Sequence, residues 1–487
     1  MKRPQPLEAS ELGRCVELLE SIALDHTRLA SIDQDLRRRL VTAAGQISRP
    51  DKVAKRALAS ALCRRERDER RSHDTAILER TGTRVLRRAS VFPTPLPGAP
   101  AIPPSRRDDE LNEPRKCYVC KAPFHRVHFF YDSMCAPCAA LNWTKRHQTA
   151  DLSGRVTLVT GGRVKIGYQA AIMLLRAGAR VIATTRFPRD AARRYAREPD
   201  FREWGDRLAI YGIDLRHTPS VETLCRELLD RRDRLDFIIN NACQTVRRPV
   251  GFYDHLMDGE TAPPSATEQR LLDHHGQLTA LATRRLLVDS AQASQVALLD
   301  EDRRRGPGIF PAGQLDADLQ QVDLRDRNSW RLALAEVPSV ELLEVHLVNA
   351  VAPFVLNARL KPLMLRHPTR DKHIVNVSAM EGQFYREYKT DKHPHTNMAK
   401  AALNMMTRTS AIDYVRDGIH MNSVDTGWVT DEDAVVLAEA KREMHGFHPP
   451  LDVVDGAARI LDPIFSGFQT GEHLWGFFLK DYKPAPW

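Results

Sequence analysis

At 487 residues the chain is longer than one hydrophobic core usually grows, which implies two or three domains. Its 42% hydrophobic and 28% charged content is ordinary for a soluble globular protein, and no uninterrupted apolar run approaches a bilayer span. The opening MKRPQPLEASELGR lacks the apolar stretch of a secretory signal, so a cytoplasmic protein without a membrane partner is expected.

The net charge of +9 comes largely from the first third of the chain. Residues 1–91 read as a basic helical region. Leu12, Val16, Leu19 and Ile22 recur at helical spacing, and Leu58, Ala61 and Leu62 continue the pattern. Lys52–Arg88 is dense in arginine, which can mark an acidic partner such as nucleic acid. The carboxylates interleaved in CRRERDERRSHD favour a solvated helix face over a nucleic-acid surface. Residues 92–114 form a linker, because the prolines of Phe92–Pro104 cannot donate to a helix or a ladder.

Residues 115–147 carry Cys117, Cys120, Cys135 and Cys138 as two Cys-x-x-Cys pairs, half of the eight cysteines. Two such knuckles complete a tetrahedral site, so a structural Zn2+ is expected. A segment this short has too little core to fold without such a staple. His125 and His128 lie between the pairs, but four thiolates already close the site. A module of this kind binds nucleic acid, binds protein or braces a neighbouring domain.

From Leu152 onward, short apolar runs alternate with helical stretches, the pattern of an α/β fold with a doubly wound parallel sheet. The expected strands are Val156–Thr160, Arg180–Thr184, Leu208–Ile213, Leu235–Ile239, His373–Val377 and Ile419–Val424, within one domain over 151–487. Between the fourth strand and the helix bearing Asn349 lie roughly a hundred residues, more than such a connection needs. The excess is a long insertion at about 251–335. Within it Ser265–Asp300 reads as helical and Arg303–Pro311 as a breaker. Leaving from the carboxyl edge of the sheet, where such folds bind ligands, it is expected to cover a small-molecule substrate.

The first strand runs into Gly161–Gly167 and then a helix, the context in which a glycine-rich turn holds a pyrophosphate. Gly161 permits the tight turn, Gly167 lets the helix start close to the pyrophosphate, and Lys165 and Ile166 belong to the same cofactor-binding turn, ahead of a helix expected over Gln169–Arg176. The second strand ends Ala183-Thr184-Thr185-Arg186, with no carboxylate to accept from ribose hydroxyls. Arg186 and Arg163 are instead suited to a 2′-phosphate, which favours NADP(H).

The ordered segments VTLVTGGRVKIG, FIINNAC, VNAVAPF, IVNVSA and TNMAK resemble the short-chain dehydrogenase/reductase superfamily. The resemblance covers somewhat over half the chain. It implies a Rossmann-like fold, an oxidoreductase activity and homodimerisation through the helices bearing Asn349 and Lys400. It puts Asp214 and Leu215 beside the adenine and Asn240, Asn241 and Ala242 beside the cofactor. Cys243 stands where the family usually has glycine, and Lys165 replaces its middle glycine, a basic substitution like that of the pteridine-reductase-like branch.

By the same resemblance, Asn349 and Lys400 match the family's asparagine and lysine, but Thr396 occupies the tyrosine position and Ala379 the serine position. A threonine hydroxyl is too weak an acid to replace a phenol at neutral pH. Ser378 should face the other way by strand alternation. Substitute acids are sought in Glu381–His395, with Tyr388, Tyr385 and His395 as candidates and Glu381 behind them. Two other readings stand beside that one: a substrate needing no strong acid, or a non-catalytic NADP(H)-binding sensor or scaffold associated with nucleic acid or protein.

Overall fold

A computed structural model describes residues 8–96, 98, 110–281, 287–304, 306–385, 389–446 and 448–487. The chain forms two compact units, Met1–Thr75 and Ala76–Trp487. The first holds α1 (Ala9–Leu24), α2 (Gln34–Ser48) and most of α3 (Lys52–Glu79). Asp33 caps α2 by accepting from the amides of Asp35 and Leu36. Neither α1 nor α2 buries a residue, so the stripe that includes Leu12 and Val16 stays exposed. Along α3 the arginines pair within the helix, Arg65 with Glu69 at 2.7 Å and Arg70 with Glu66 at 3.7 Å, each four residues apart.

The second unit starts earlier than the boundary expected at residue 91. Ile77 and Leu78, at the end of α3, bury with Leu111 and Val127, so the last turn of that helix belongs to the second unit. After α4 (Gly82–Arg87), the start of the expected linker is held down. The Phe92 amide donates to Ala317, and Thr94 and Pro95 accept from Gln169 and Arg176. Residues 97 and 99–109 of that linker lie outside the described residues. The antiparallel hairpin β1 (Glu110–Lys116) and β2 (Pro123–Arg126) precedes α5 (Ala136–Arg146), and together they carry the four clustered cysteines.

The main sheet then builds in βα units: β3 (Val156–Thr160), α6 (Lys165–Arg176), β4 (Arg180–Thr185), α7 (Pro188–Ala196), the short α8 (Phe201–Trp204), β5 (Leu208–Gly212), α9 (Thr218–Arg231) and β6 (Phe237–Asn240). The insertion contributes α10 (Asp254–Thr261), α11 (Ala266–Leu281) and α12 (Ser290–Ala293). Next come α13 (Ser339–His346), a π turn at Leu347–Val351, α14 (Ala352–Leu365), β7 (Lys372–Ser378), α15 (Pro394–Arg416), β8 (Ile419–Asp425), α16 (Val435–His445), α17 (Val453–Thr470), β9 (Phe478–Lys480) and β10 (Lys483–Ala485).

The strand order is β10-β9-β8-β7-β6-β3-β4-β5, parallel throughout except for the β10–β9 pair. Six of these eight strands lie where the sequence puts them; β9 and β10 are additions, too short to show in a pattern of apolar runs. One face packs under α6 and α17, with Leu174, Ile460 and Leu461 fully buried. The other packs under α9 and α14, with Leu224, Leu356 and Leu363. The stretch Ser339–Leu365 is apolar and long enough to pass for a bilayer span, but its α14 half is a core helix packed against α9.

Part of the insertion packs where it was not expected. Its α11 packs beside β5 and α7, covering the free edge of the sheet. There Gly212, lacking a side chain, lets His275 approach, and His275 Nδ1 accepts the Gly212 amide at 3.2 Å. Of the helix expected over Ser265–Asp300, the described residues show α11 over Ala266–Leu281 and α12 over Ser290–Ala293, while residues 282–286 lie outside them. The later part of the insertion, around Asp316–Asp323, lies along the cleft that the Gly161–Gly167 turn also lines.

Candidate functional site

The cleft opens at the carboxyl ends of the parallel strands and has a volume of about 790 Å³. Its floor is the turn joining β3 to α6. Gly161 has φ 70°, and a side chain at Gly167 would come within 2.3 Å of Asn241 and of the Gly161 carbonyl. Close approach of helix to loop therefore demands glycine at that position. Lys165 opens α6 with φ 55°, so the lysine accepts a left-handed conformation that glycine would adopt freely. Ile166 lines the cleft and packs against Gly456 of α17. Asn241 donates to the Thr160 carbonyl at 3.0 Å and fixes the turn to β6.

The two arginines expected at a 2′-phosphate both line the cleft, already partnered. Arg163 is buried, donating to Asp190 at 2.7 Å and to Gln320 at 2.6 Å. Burial lowers its pKa, with Asp190 opposing that shift. Arg186 donates to the Tyr253 hydroxyl at 2.6 Å and stacks over that ring. Burial pushes the phenol of Tyr253 up, but Arg186 outweighs it and leaves the pKa below its usual value. Asp214 is held by Arg216; burial raises its pKa, yet the guanidinium brings it below the ordinary carboxylate range. Leu215 is buried beside it and lines the same cleft. Gln320 and Tyr253 escaped the sequence reading because both sit in an insertion without motif.

Lys400 is buried on α15 and donates to the Val377 carbonyl at 2.7 Å. Asn349 occupies the π turn and grips the loop after β6. It accepts from the Gln244 amide at 2.8 Å and donates to the Gln244 carbonyl at 3.1 Å. Thr396 is buried in the first turn of α15, four residues before Lys400, and its hydroxyl has no hydrogen-bond partner among the described residues. Ser378 donates to Asn404 at 2.6 Å, so its hydroxyl is committed to α15, the helix that also carries Thr396 and Lys400. Ala379 follows β7 and offers no polar group. Beneath these residues runs a buried amide network in which Asn240 donates to Asn357 and Asn376.

The substitute acids separate sharply. Tyr385 is 94% exposed, so its phenol faces solvent rather than the cleft. Tyr388 lies outside the described residues. Glu381 falls in the short turn after Ala379. His395 is buried, with Nε2 3.5 Å from Glu341 on α13 and no hydrogen-bond partner among the described residues. One turn further along α13, Glu344 lines the cleft and pairs with Arg247 and Arg216. Cys243 is exposed in the loop and lines the cleft.

The four module cysteines converge: Cys117, Cys120, Cys135 and Cys138 each place a sulfur within 4.8 Å of the others. Burial raises the Cys117 pKa, but the amides of Cys135, Cys120 and Val119 outweigh it and bring the thiol to about 7. A thiol so placed is easily deprotonated, as a metal ligand must be. Burial pushes the Cys135 and Cys138 thiols up instead, so it is the convergence of the four sulfurs that fits a tetrahedral thiolate-bound ion. The module is bound to the sheet domain through buried polar contacts. Tyr131 donates to Asp455 at 2.6 Å, Arg146 donates to Asp452 and Asp455, and Arg459 donates to Asn142.

A family model described as short chain dehydrogenase matches residues 155–256, and one described as Enoyl-(Acyl carrier protein) reductase matches 317–449. The gap between them falls inside the insertion. An uncharacterized protein, R665 of Acanthamoeba polyphaga mimivirus, is 31% identical over 385 residues, covering 76% of this chain and 74% of its own. Retinol dehydrogenase 14 of Mus musculus is 35% identical over 116 residues, 21% of this chain and 34% of its own. Among solved structures, RhlG of Pseudomonas aeruginosa in an NADP complex aligns with a TM-score of 0.42 and 18% identity, covering 68% of this chain and 95% of its own. With the glycine turn, parallel sheet and lysine-bearing helix in place, the chain belongs to the short-chain dehydrogenase/reductase superfamily.

Proposed function

We propose that the protein is an NADP(H)-dependent oxidoreductase acting on a small molecule, with an altered acid. The observation that carries this reading is the cleft itself. It joins the Gly161–Gly167 turn to two arginines, Arg163 and Arg186, at the end of a strand that offers no carboxylate of its own. In the family the nicotinamide supplies hydride. Here Gly161, Lys165, Ile166 and Gly167 would receive the pyrophosphate, while Asp214, Leu215 and Asn241 border the nucleotide. Lys400 would hold the ribose, and Asn349 would keep the loop after β6 in register.

With Thr396 at the tyrosine position, the proton must come from elsewhere or not be needed. Among the described candidates, His395 lies buried against Glu341, one residue before Thr396. Tyr388 competes with it. Thr396 would orient the substrate by a hydrogen bond. The test is turnover of NADPH with a panel of carbonyls, activated alkenes and imines, alongside direct measurement of NADPH binding. Binding without turnover of any of them would favour the sensor reading.

For the cysteine module we propose one structural zinc held by Cys117, Cys120, Cys135 and Cys138. The contacts from Tyr131 and Arg146 to α17 support bracing of the sheet domain over nucleic-acid binding. Those side chains are committed inward, and the Arg146 charge is spent on two buried carboxylates rather than offered to a phosphate backbone.

A further inference from the structure

We propose that His373, His420 and His473 form a second metal site, for a divalent transition ion such as zinc, at the edge of the sheet opposite the cofactor cleft. One nitrogen from each ring lies within 4.8 Å of the other two. The site is built by the fold rather than by a local motif. His373 and His420 are the second residues of β7 and β8, and they are register partners in a parallel pair. Their side chains therefore leave the same face side by side. Both sit at the amino ends of their strands, whereas the glycine turn follows the carboxyl end of β3, so the two sites occupy opposite edges.

The third ring arrives from another direction. Gly471 ends α17 in the left-handed conformation, with φ 76°, and turns the chain back. His473 then packs against Gly467, where a Cβ would come within 2.4 Å of His473 Nδ1. Glycine at 467 is thus what lets this ring reach the other two.

The geometry of the nitrogens fits metal ligation. His373 Nε2 and His473 Nδ1 share a hydrogen bond of 2.9 Å, and an ion here would take the place of the shared proton. Two nitrogens bound to one ion at about 2.0–2.1 Å, in adjacent positions, are separated by roughly 2.9–3.4 Å. His420 Nδ1 lies 3.1 Å from the Lys372 carbonyl. It must carry the proton there, leaving Nε2 as the lone pair, the arrangement in which a backbone acceptor sets a ligating tautomer. His373 Nδ1 is buried with no partner among the described residues, and ligation through Nε2 would place that ring's proton there. Asp371 is committed to Arg155 by two hydrogen bonds and does not supply a fourth ligand. His473 is only partly buried, so water can complete the shell. Three neutral imidazoles select zinc, cobalt, nickel or copper over magnesium or calcium. The ion would tie β7 and β8 to the end of α17.

The test uses untagged full-length protein, stripped with a chelator and reloaded with zinc alone. Metal is counted after gel filtration for the unmodified protein, His473→Ala and His420→Gln. Each variant should bind one zinc fewer than the unmodified protein, while cysteine-ligated zinc is retained. X-ray absorption of the zinc-loaded unmodified protein provides a readout that needs no variant and should show imidazole as well as sulfur around the metal. Equal zinc counts in the three proteins, or sulfur as the sole ligand type, would overturn the proposal.

Discussion

Arg163 in the glycine turn donates to Gln320 of the insertion at 2.6 Å, so the roof of the cleft is fastened to its floor. The same guanidinium holds Asp190 through its other terminal nitrogen. On the proposed reading, a 2′-phosphate in this corner would meet an arginine already oriented and a second one, Arg186, aligned by Tyr253. Preorganised donors of this kind lose less freedom when they bind.

NADPH should therefore bind more tightly than NADH. Charge-assisted hydrogen bonds contribute about 1.5–3 kcal/mol, so Arg186→Asp should cost NADPH roughly tenfold to a hundredfold while sparing NADH. Fluorescence titration with both nucleotides measures this. Equal affinities in the unmodified protein would mean that the arginines serve only the fold.

Catalysis and cofactor binding should come apart under mutation. Lys400→Ala should weaken NADPH binding and abolish turnover. Loss of the acid should cut turnover by about 10²-fold or more and leave NADPH affinity intact. His395→Gln and Tyr388→Phe are the paired tests, with Tyr385→Phe as the solvent-facing control. Thr396→Ala should be mild. If neither of the paired variants changes turnover while Thr396→Tyr raises carbonyl reduction, the substitute-acid idea fails.

Metal in the cysteine module should be stoichiometric. Cys117→Ser or Cys138→Ser should release one zinc and loosen residues 115–146, which limited proteolysis reports. Because Tyr131 and Arg146 anchor α17, the loss should also lower the thermal midpoint of the sheet domain. Metal-free protein of unchanged stability, prepared under reducing conditions, would contradict this.

Acid should loosen the insertion through His275. Burial lowers its pKa from 6.5 to about 4, and its Nδ1 must stay unprotonated to accept the Gly212 amide. The unfolded chain therefore takes up a proton that the folded chain refuses between those values. The resulting stability is present above pH 6.5 and is lost as pH falls toward 4. His128, in the cysteine module, is lowered to about 4 by burial and adds in the same direction. Urea midpoints measured from pH 7 to pH 4.5 should fall, less steeply in His275→Gln. An unchanged slope in that variant would remove His275 from the account.

The sheet was legible because a parallel strand buried on both faces writes itself as an apolar run. Val156–Thr160 and Ile419–Val424 needed no tertiary information. The glycine turn was legible for a related reason: strand, Gly161 and helix come one after another along the chain. The cysteine pairs likewise announce their convergence, since each knuckle is local and only their meeting is not.

What the sequence by itself determined, then, were features whose physics is local: strand burial, turn conformation and ligand pairs separated by two residues. The tertiary structure alone decided which groups meet across the fold. It fastened Arg163 to Gln320, sent α11 to the edge of β5, and committed Ser378 to Asn404. It also gathered His373, His420 and His473 from three distant segments. No periodicity records such meetings. They depend on strand register, on where Gly471 turns the chain, and on glycines that leave room for a ring.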